Sequence, residues 1–302
     1  MRKYLLAIVF VLLTAIFFGG CTPENPATAS PSPAASTLPD STPSSAPEET
    51  TPASSASPGD SSDSTVSQLQ PDTAYELDWD GDGQDETLKV TAANLDTPTL
   101  LYKDDGRSTT VQVPSDNFTL SHLYFYTTEE GASYLILSGD LASSDYGTYL
   151  CRYNDFIPFF FSEVIRGDAV SLDGQNGTVL LEDAVDVLGT WLAQRTYTLD
   201  TESFTLVPAE DVWTIQSTSD SAPVVTTKDL PVELLENGTY QAATLPPGTA
   251  LLPTTTDEET FVTFRIPEDG REGRISFERR DYMIYIDGEE DSSWFETLNY
   301  AG

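Results

Sequence analysis

The densest chemistry in this sequence lies in nine consecutive residues, Asp78-Trp79-Asp80-Gly81-Asp82-Gly83-Gln84-Asp85-Glu86. Carboxylates recur at alternate positions in the pattern D-x-D-x-D-G-x-x-E, and a tight loop with that spacing turns them onto one centre. Calcium takes roughly six to eight hard oxygens at about 2.3–2.6 Å, which suits such a loop. Asp78, Asp80 and Asp82 would supply the first, third and fifth positions. Gly83 would take the sharp turn, Gln84 would offer its backbone carbonyl, and Glu86 would close the site directly or through water. Carboxylates packed this closely repel each other unless a cation sits among them. Calcium (Ca2+) is therefore the expected ligand, against the plainer alternative of an acidic Asp-Gly hairpin turn.

The residues after the loop decide between calcium motifs. An EF-hand needs a bidentate Glu at its twelfth position and an exiting helix. Here that position is Lys89, and TLKVTA follows with Leu88, Val90 and Ala92 alternating as in a strand. Over residues 75–92 the segment resembles the β-loop-β calcium sites of FG-GAP and VCBS-type repeats. The resemblance implies a β-repeat domain, partly propeller-like, whose bound calcium stabilises the fold. One good copy is present, where a full propeller would show several.

Other catalytic chemistry is sparse. The single histidine, His122, has no Gly-x-Ser-x-Gly partner and reads as a half-buried structural imidazole. Metal-protease HExxH, zinc Cys pairs and phosphate-binding Gly loops are absent. Asp140, Ser143, Ser144 and Asp145 form a polar turn that could offer ligand oxygens but reads first as a plain loop. The expectation is a non-enzymatic binding or adhesion module. The alternatives are a carbohydrate- or wall-active enzyme using paired carboxylates and a solute-binding lipoprotein.

The elements that must position the loop are strands. TLKVTA, LYFYTT, YLILSG, TYLCRY, TVLLED, RTYTLD and SFTLV are short runs rich in β-branched and aromatic residues. Hairpin turns are expected at Lys103–Gly106, Gly174–Gly177 and Asp287–Gly288. The fold class is all-β, with a boundary in the polar run TIQSTSDSAP and domains over 71–218 and 219–302. The second part resembles the bacterial Src-homology-3-like barrel: KDLPVEL, LPPGTAL and TFVTFRIPEDGREGRISF follow that family's order. Gly270 and Gly273 match its G-x-x-G element, and Arg274 stands where a Trp usually follows. Tyr282, Tyr285, Trp294, Phe295 and Tyr300 could line a ligand surface there, with core packing the simpler role.

Ahead of these strands the texture differs. Arg2 and Lys3 precede an uncharged apolar run from Tyr4 to Phe18, too short to span a bilayer comfortably. Phe18-Gly19-Gly20-Cys21 resembles the lipobox of bacterial lipoproteins. That resemblance implies a signal peptide over 1–20 and a diacylglyceryl group on Cys21, which would anchor the protein at the extracellular face of the cell membrane. A diacyl group supplies the two chains that stable anchoring needs. Residues 21–70 are Ser/Thr/Pro/Ala-rich with no basic residue, and such a segment cannot bury enough apolar surface to order itself. It reads as a disordered stalk with a reach between about 40 Å as a coil and about 150 Å if polyproline-like. With Cys21 lipidated, no disulfide forms, and Cys151 in TYLCRY reads as a small buried hydrophobe. The formal net charge is −35, which argues against anionic partners such as nucleic acid, so none is expected, and keeps the chain soluble. A monomer is expected, with a cell-wall or extracellular glycan or protein as its ligand.

Overall fold

The computed structural model describes residues 64–92, 97–141, 145–154, 157–217 and 221–301. The expected leader, Cys21 and nearly all of the stalk lie outside them, as do Ser143 and Ser144. The chain enters the fold with β1 (Thr65–Gln68), β2 (Ala74–Leu77), β3 (Glu86–Thr91), β4 (Thr99–Asp104) and β5 (Arg107–Gln112). Five strands follow: β6 (Thr119–Thr127), β7 (Ser133–Asp140), β8 (Tyr146–Asn154), β9 (Ile157–Phe161) and β10 (Ile165–Arg166). Next come β11 (Asp168–Asp173), β12 (Thr178–Asp186), β13 (Thr190–Asp200), β14 (Thr205–Pro208) and β15 (Trp213–Ile215). The chain continues through β16 (Val224–Val225), β17 (Leu230–Glu236), β18 (Thr239–Leu245), β19 (Ala250–Thr256) and β20 (Phe261–Arg265). It ends with β21 (Glu272–Ser276), β22 (Glu278–Arg280), β23 (Met283–Ile286) and β24 (Glu289–Glu290), then a single 3-10 turn at Asp291–Ser293. The fold is all-β.

Four sheets result. One runs β1-β6-β7-β8-β10 with β9 also on β8; a second runs β2-β3-β4-β5. The third, of 11 strands, runs β11-β12-β13-β15-β19-β20-β21-β17-β18, and the last is β22-β23-β24. The expected hairpins are present: Asp105 and Gly106 at φ 40° and 79°, and Asp287 and Gly288 at φ 49° and 81°, take the left-handed pairs that tight β-hairpins favour. Gly174–Gly177 joins β11 to β12. Among the described residues no sheet closes on itself.

The sheet of β6, β7 and β8 is buried on both faces. Register places Leu123 beside Leu137 beside Tyr149, and Phe125 beside Leu135 beside Cys151. These side chains pack with Leu88, Val90, Leu100 and Tyr102 of the β2–β5 sheet in one core. The alternate residues, Tyr124, Ile136 and Leu150, face a second core shared with the 11-stranded sheet. Burial on both faces explains the near-continuous apolar runs LYFY, YLIL and TYLC. Cys151 is fully buried, and burial pushes its thiol up, as befits a packing residue.

Two expected boundaries move. Residues 65–69, which the polar composition before Pro71 assigns to the stalk, belong to the fold. Here β1 pairs with β6 from Thr65↔Thr127 to Gln68↔Tyr124, and Leu69 is buried in the first core. The polar run near 218 does not divide two cores. At its start, Trp213 and Ile215 belong to β15, which bonds β13 on one side and β19 on the other. The second core then continues from Tyr124 to Phe295. The strands of 219–302, expected as a small barrel, extend this open sheet and add β22–β24.

Gly139 tests the tightness of the middle sheet. A Cβ built there would lie 2.0 Å from the carbonyl oxygen of Thr119 on β6, at the bulge between Leu120 and His122. We expect Gly139→Ala to lower unfolding free energy by about 1–3 kcal/mol, the usual cost of overpacking. Urea denaturation followed by tryptophan fluorescence measures it, and an unchanged midpoint would show that the bulge yields freely.

Candidate metal centre

The acidic loop joins β2 to β3 and is built from its own carboxylates. Gly81 and Gly83 stand at φ 79° and 87°, where a side chain is strained. Asp78 accepts from the Gly81 N–H through Oδ1 at 2.9 Å and from the Gly83 N–H through Oδ2 at 3.1 Å. Asp80 Oδ1 accepts from the Asp82 N–H at 3.1 Å, and Glu86 Oε2 from the Trp79 N–H at 2.8 Å. The result is a carboxylate corner. Ligand oxygens of Asp78, Asp80 and Glu86 all lie within 4.8 Å of one another, a group that could hold a metal ion.

Asp82, the other expected carboxylate ligand, behaves differently. The Asp82 carboxylate stays outside that group and serves Gln84, accepting its N–H at 2.8 Å and its Nε2–H at 3.1 Å. Both residues are exposed. Alternation alone cannot foresee this, because the two positive-φ glycines turn the loop outward at Asp82.

Electrostatics favour a cation in the corner. Glu86 is buried at 2% exposure. Burial raises its pKa; the Trp79 N–H opposes that, and the negative charge of Asp80 adds to it. Asp80 is also raised, first by burial, with the charges of Asp82 and Asp78 contributing against the Asp82 N–H. Tyr102 and Tyr153 flank the site. Their phenols are pushed up chiefly by burial and further by the carboxylates of Asp80, Asp104 and Glu86.

The main tie of the loop to the fold is not an acid. Trp79 is 1% exposed and packs 6.3 Å from Phe125 and 6.2 Å from Phe159. Its indole N–H donates to the Pro158 carbonyl on β9 at 2.6 Å. Ser133 Oγ donates to the Asp78 carbonyl at 3.2 Å. The sequence carries a signal for this: Trp79 is the one large apolar side chain in the loop.

The remaining candidates are dispersed. Trp294 and Phe295 are in the second core, whereas Tyr282 is 83% exposed, and Tyr285 lies under the Arg280 guanidinium. Arg274 bonds Glu233 at 2.5 Å and covers Tyr240. Gly273 is a packing position, its Cβ direction blocked by Phe264 and the Glu233 carbonyl. His122 is half-buried, 3.2 Å from Asp168 and stacked on Tyr124, as a structural imidazole should be.

A second feature has no sequence motif. A cleft of about 580 Å³ opens between the edge of β8 and β10, the β12–β13 hairpin and the β19–β20 hairpin. Its centre is Arg166, which pairs through Nε with the buried Asp183 and through Nη1 with Glu258 at 3.1 Å. Burial raises the pKa of Asp183, against the lowering effect of Arg166.

Comparison with family models, curated proteins and solved structures gave no match.

The anchoring of the loop is open to direct test. We expect Trp79→Ala to cost about 3–5 kcal/mol, the range for deleting a fully buried aromatic, whereas Asp82→Ala should change stability by less than about 0.5 kcal/mol. Chemical denaturation of both variants decides, and equal losses would contradict the anchor.

Proposed function

We propose that this protein is a calcium-stabilised, non-enzymatic binding module held at the outer face of a cell membrane by a lipid on Cys21. The observation that carries the calcium part is the convergence of Asp78, Asp80 and Glu86 with Glu86 buried. A buried carboxylate beside two others is unfavourable unless positive charge compensates it. Calcium suits this loop because it accepts irregular oxygen shells, so exposed backbone carbonyls and water can complete the coordination. Magnesium demands a compact octahedron and is reluctant to shed water. Trp79 gives the metal its structural role: ordering Asp78 and Asp80 orders the residue between them, which is seated on β9.

The display part rests on FFGGC and the Ser/Thr/Pro/Ala-rich segment behind it. A Cys21→Ser variant expressed in a Gram-positive host should lose fatty-acid labelling and move from membrane to medium. Retained labelling would remove the lipid from the proposal.

Calorimetric titration of the purified chain tests the metal. For an affinity typical of extracellular modules, on the order of 0.1–1 mM, calcium at about 10 mM should add roughly 1.4–2.7 kcal/mol by mass action. Magnesium should add much less. Asp80→Ala should abolish the effect, while Asp173→Ala should preserve it, because Asp173 only braces its own turn through Gln175 and Asn176. Absence of binding heat, with a melting curve indifferent to chelator, would return the loop to an acidic turn.

A further inference from the structure

We infer that the cleft around Arg166 is the ligand site of this module, and that its ligand is an amine-bearing sugar. The inference shares the binding-module reading but does not depend on calcium, since none of the cleft's lining residues belongs to the acidic loop. At about 580 Å³ the cleft falls inside the usual range of small-molecule sites, roughly 300–1,000 Å³.

Its polar groups are fixed in advance. Arg166 donates to both oxygens of Glu258, at 3.1 and 3.2 Å, and to the Ala184 carbonyl at 2.6 Å, besides pairing with Asp183. Arg279 is held by two backbone carbonyls, Glu258 O at 2.5 Å and Asp186 O at 2.6 Å. Glu258 stands at φ 67°, uncommon for a residue with a long side chain. The turn that holds it is tied down by Asp257, which accepts the N–H groups of Glu259, Thr260 and Phe261. Planar carboxylates and guanidiniums in set positions are matched by neighbouring hydroxyls, which donate to one and accept from the other. Leu141 and Val164 supply an apolar wall against which the C–H face of a sugar ring can lie, and Tyr146 adds an aromatic ring.

Charge selects among sugars. Four carboxylates, Asp145, Asp183, Asp186 and Glu258, line the cleft against the two guanidiniums of Arg166 and Arg279. Arg166 is engaged with Asp183 and Glu258, and Arg279 offsets one more charge, so with four carboxylates against two guanidiniums the cleft remains negative on balance. The chain's net charge of −35 strengthens that field and repels uronates and phosphosugars. An ammonium group completes the site. Asp183 and Glu258 are both ion-paired to the one Arg166 guanidinium, which holds these two carboxylates in place for binding.

The test is calorimetry of the full chain with four probes, run once with calcium and once with chelator. They are a glucosamine trimer, its N-acetylated counterpart, a neutral glucose trimer and trilysine. The glucosamine trimer should bind, and its affinity should fall by about tenfold in Asp145→Asn, the worth of one charge-assisted hydrogen bond. Asp145 is exposed, so this variant keeps the fold even where Asp183→Asn does not. The N-acetylated and neutral trimers should bind at least about tenfold more weakly. Binding of trilysine in preference to the sugar, equal binding of the acetylated trimer, or no heat with any probe to about 10 mM would each overturn the inference. Calcium binding without sugar binding would leave the metal reading intact. Sugar binding without calcium binding would leave the cleft intact.

Discussion

Burial of the β6–β8 sheet on both faces is the constraint on which the rest of the structure depends. Rows such as Leu123–Leu137–Tyr149 on one side and Tyr124–Ile136–Leu150 on the other need a covering layer each. The β2–β5 sheet covers the first and the 11-stranded sheet covers the second. Because side chains alternate with a period of two, a slip of one residue in any of these strands would exchange the two cores. Polar residues pin the register where the chain passes between layers. Ser138 and Thr148 sit side by side, 2.7 Å between hydroxyls, fully buried. Ser138 accepts the Ala169 N–H at 2.6 Å, and Thr148 donates to the Gly167 carbonyl at 2.7 Å. This small satisfied network fixes the start of β11 to the middle sheet, a role that apolar contacts cannot perform because they are non-directional.

Both features with functional chemistry stand at the margins of that sheet. The acidic loop is tied to it through Trp79, which fills space against Phe125 on β6 and Phe159 on β9. The cleft is tied to it through β10, whose two residues pair with Thr148 and Gly147 on β8 and deliver Arg166 to the opening. Neither site is a flexible appendage. Their polar groups are held by backbone geometry that the two cores have already fixed, which is the condition for a preorganised site.

Much of this was legible in the sequence. The strand class, the alternation of Leu88 and Val90, the hairpins at Asp105–Gly106 and Asp287–Gly288 and the inert burial of Cys151 all follow from local patterns. So does the convergence of Asp78, Asp80 and Glu86. The outward turn of Asp82 depends on the φ angles of two glycines, and residue spacing does not encode them. The expected division near 218 does not coincide with a break in the core, because a polar run reports local exposure, whereas core continuity is set by Trp213 and Ile215 pairing with strands distant in sequence. The cleft was invisible for a related reason. Arg166, Asp183 and Glu258 are spread along the chain, and only the meeting of β10, β12 and the β19–β20 hairpin brings them together.

Burial, rather than acid content, singles out the carboxylates under constraint. The chain carries 49 Asp and Glu residues, yet among the described residues just Glu86, Asp183 and Asp291 are buried. Each has a pKa raised first by burial, so each is held in its place against its own solvation preference. Such an arrangement persists only where surrounding groups compensate it. Asp291 is compensated by the Tyr300 hydroxyl, which closes the C-terminal segment onto the fold, beside the Thr190 N–H that donates to the Asn299 carbonyl at 2.8 Å. Asp183 is compensated by Arg166. Glu86 is helped by the backbone N–H groups of Trp79 and Asp80, but it faces two further carboxylates and, among the described residues, has no ion-pair partner such as Asp183 has in Arg166. By that comparison the loop at Asp78–Glu86 is where an added positive charge has the most to gain.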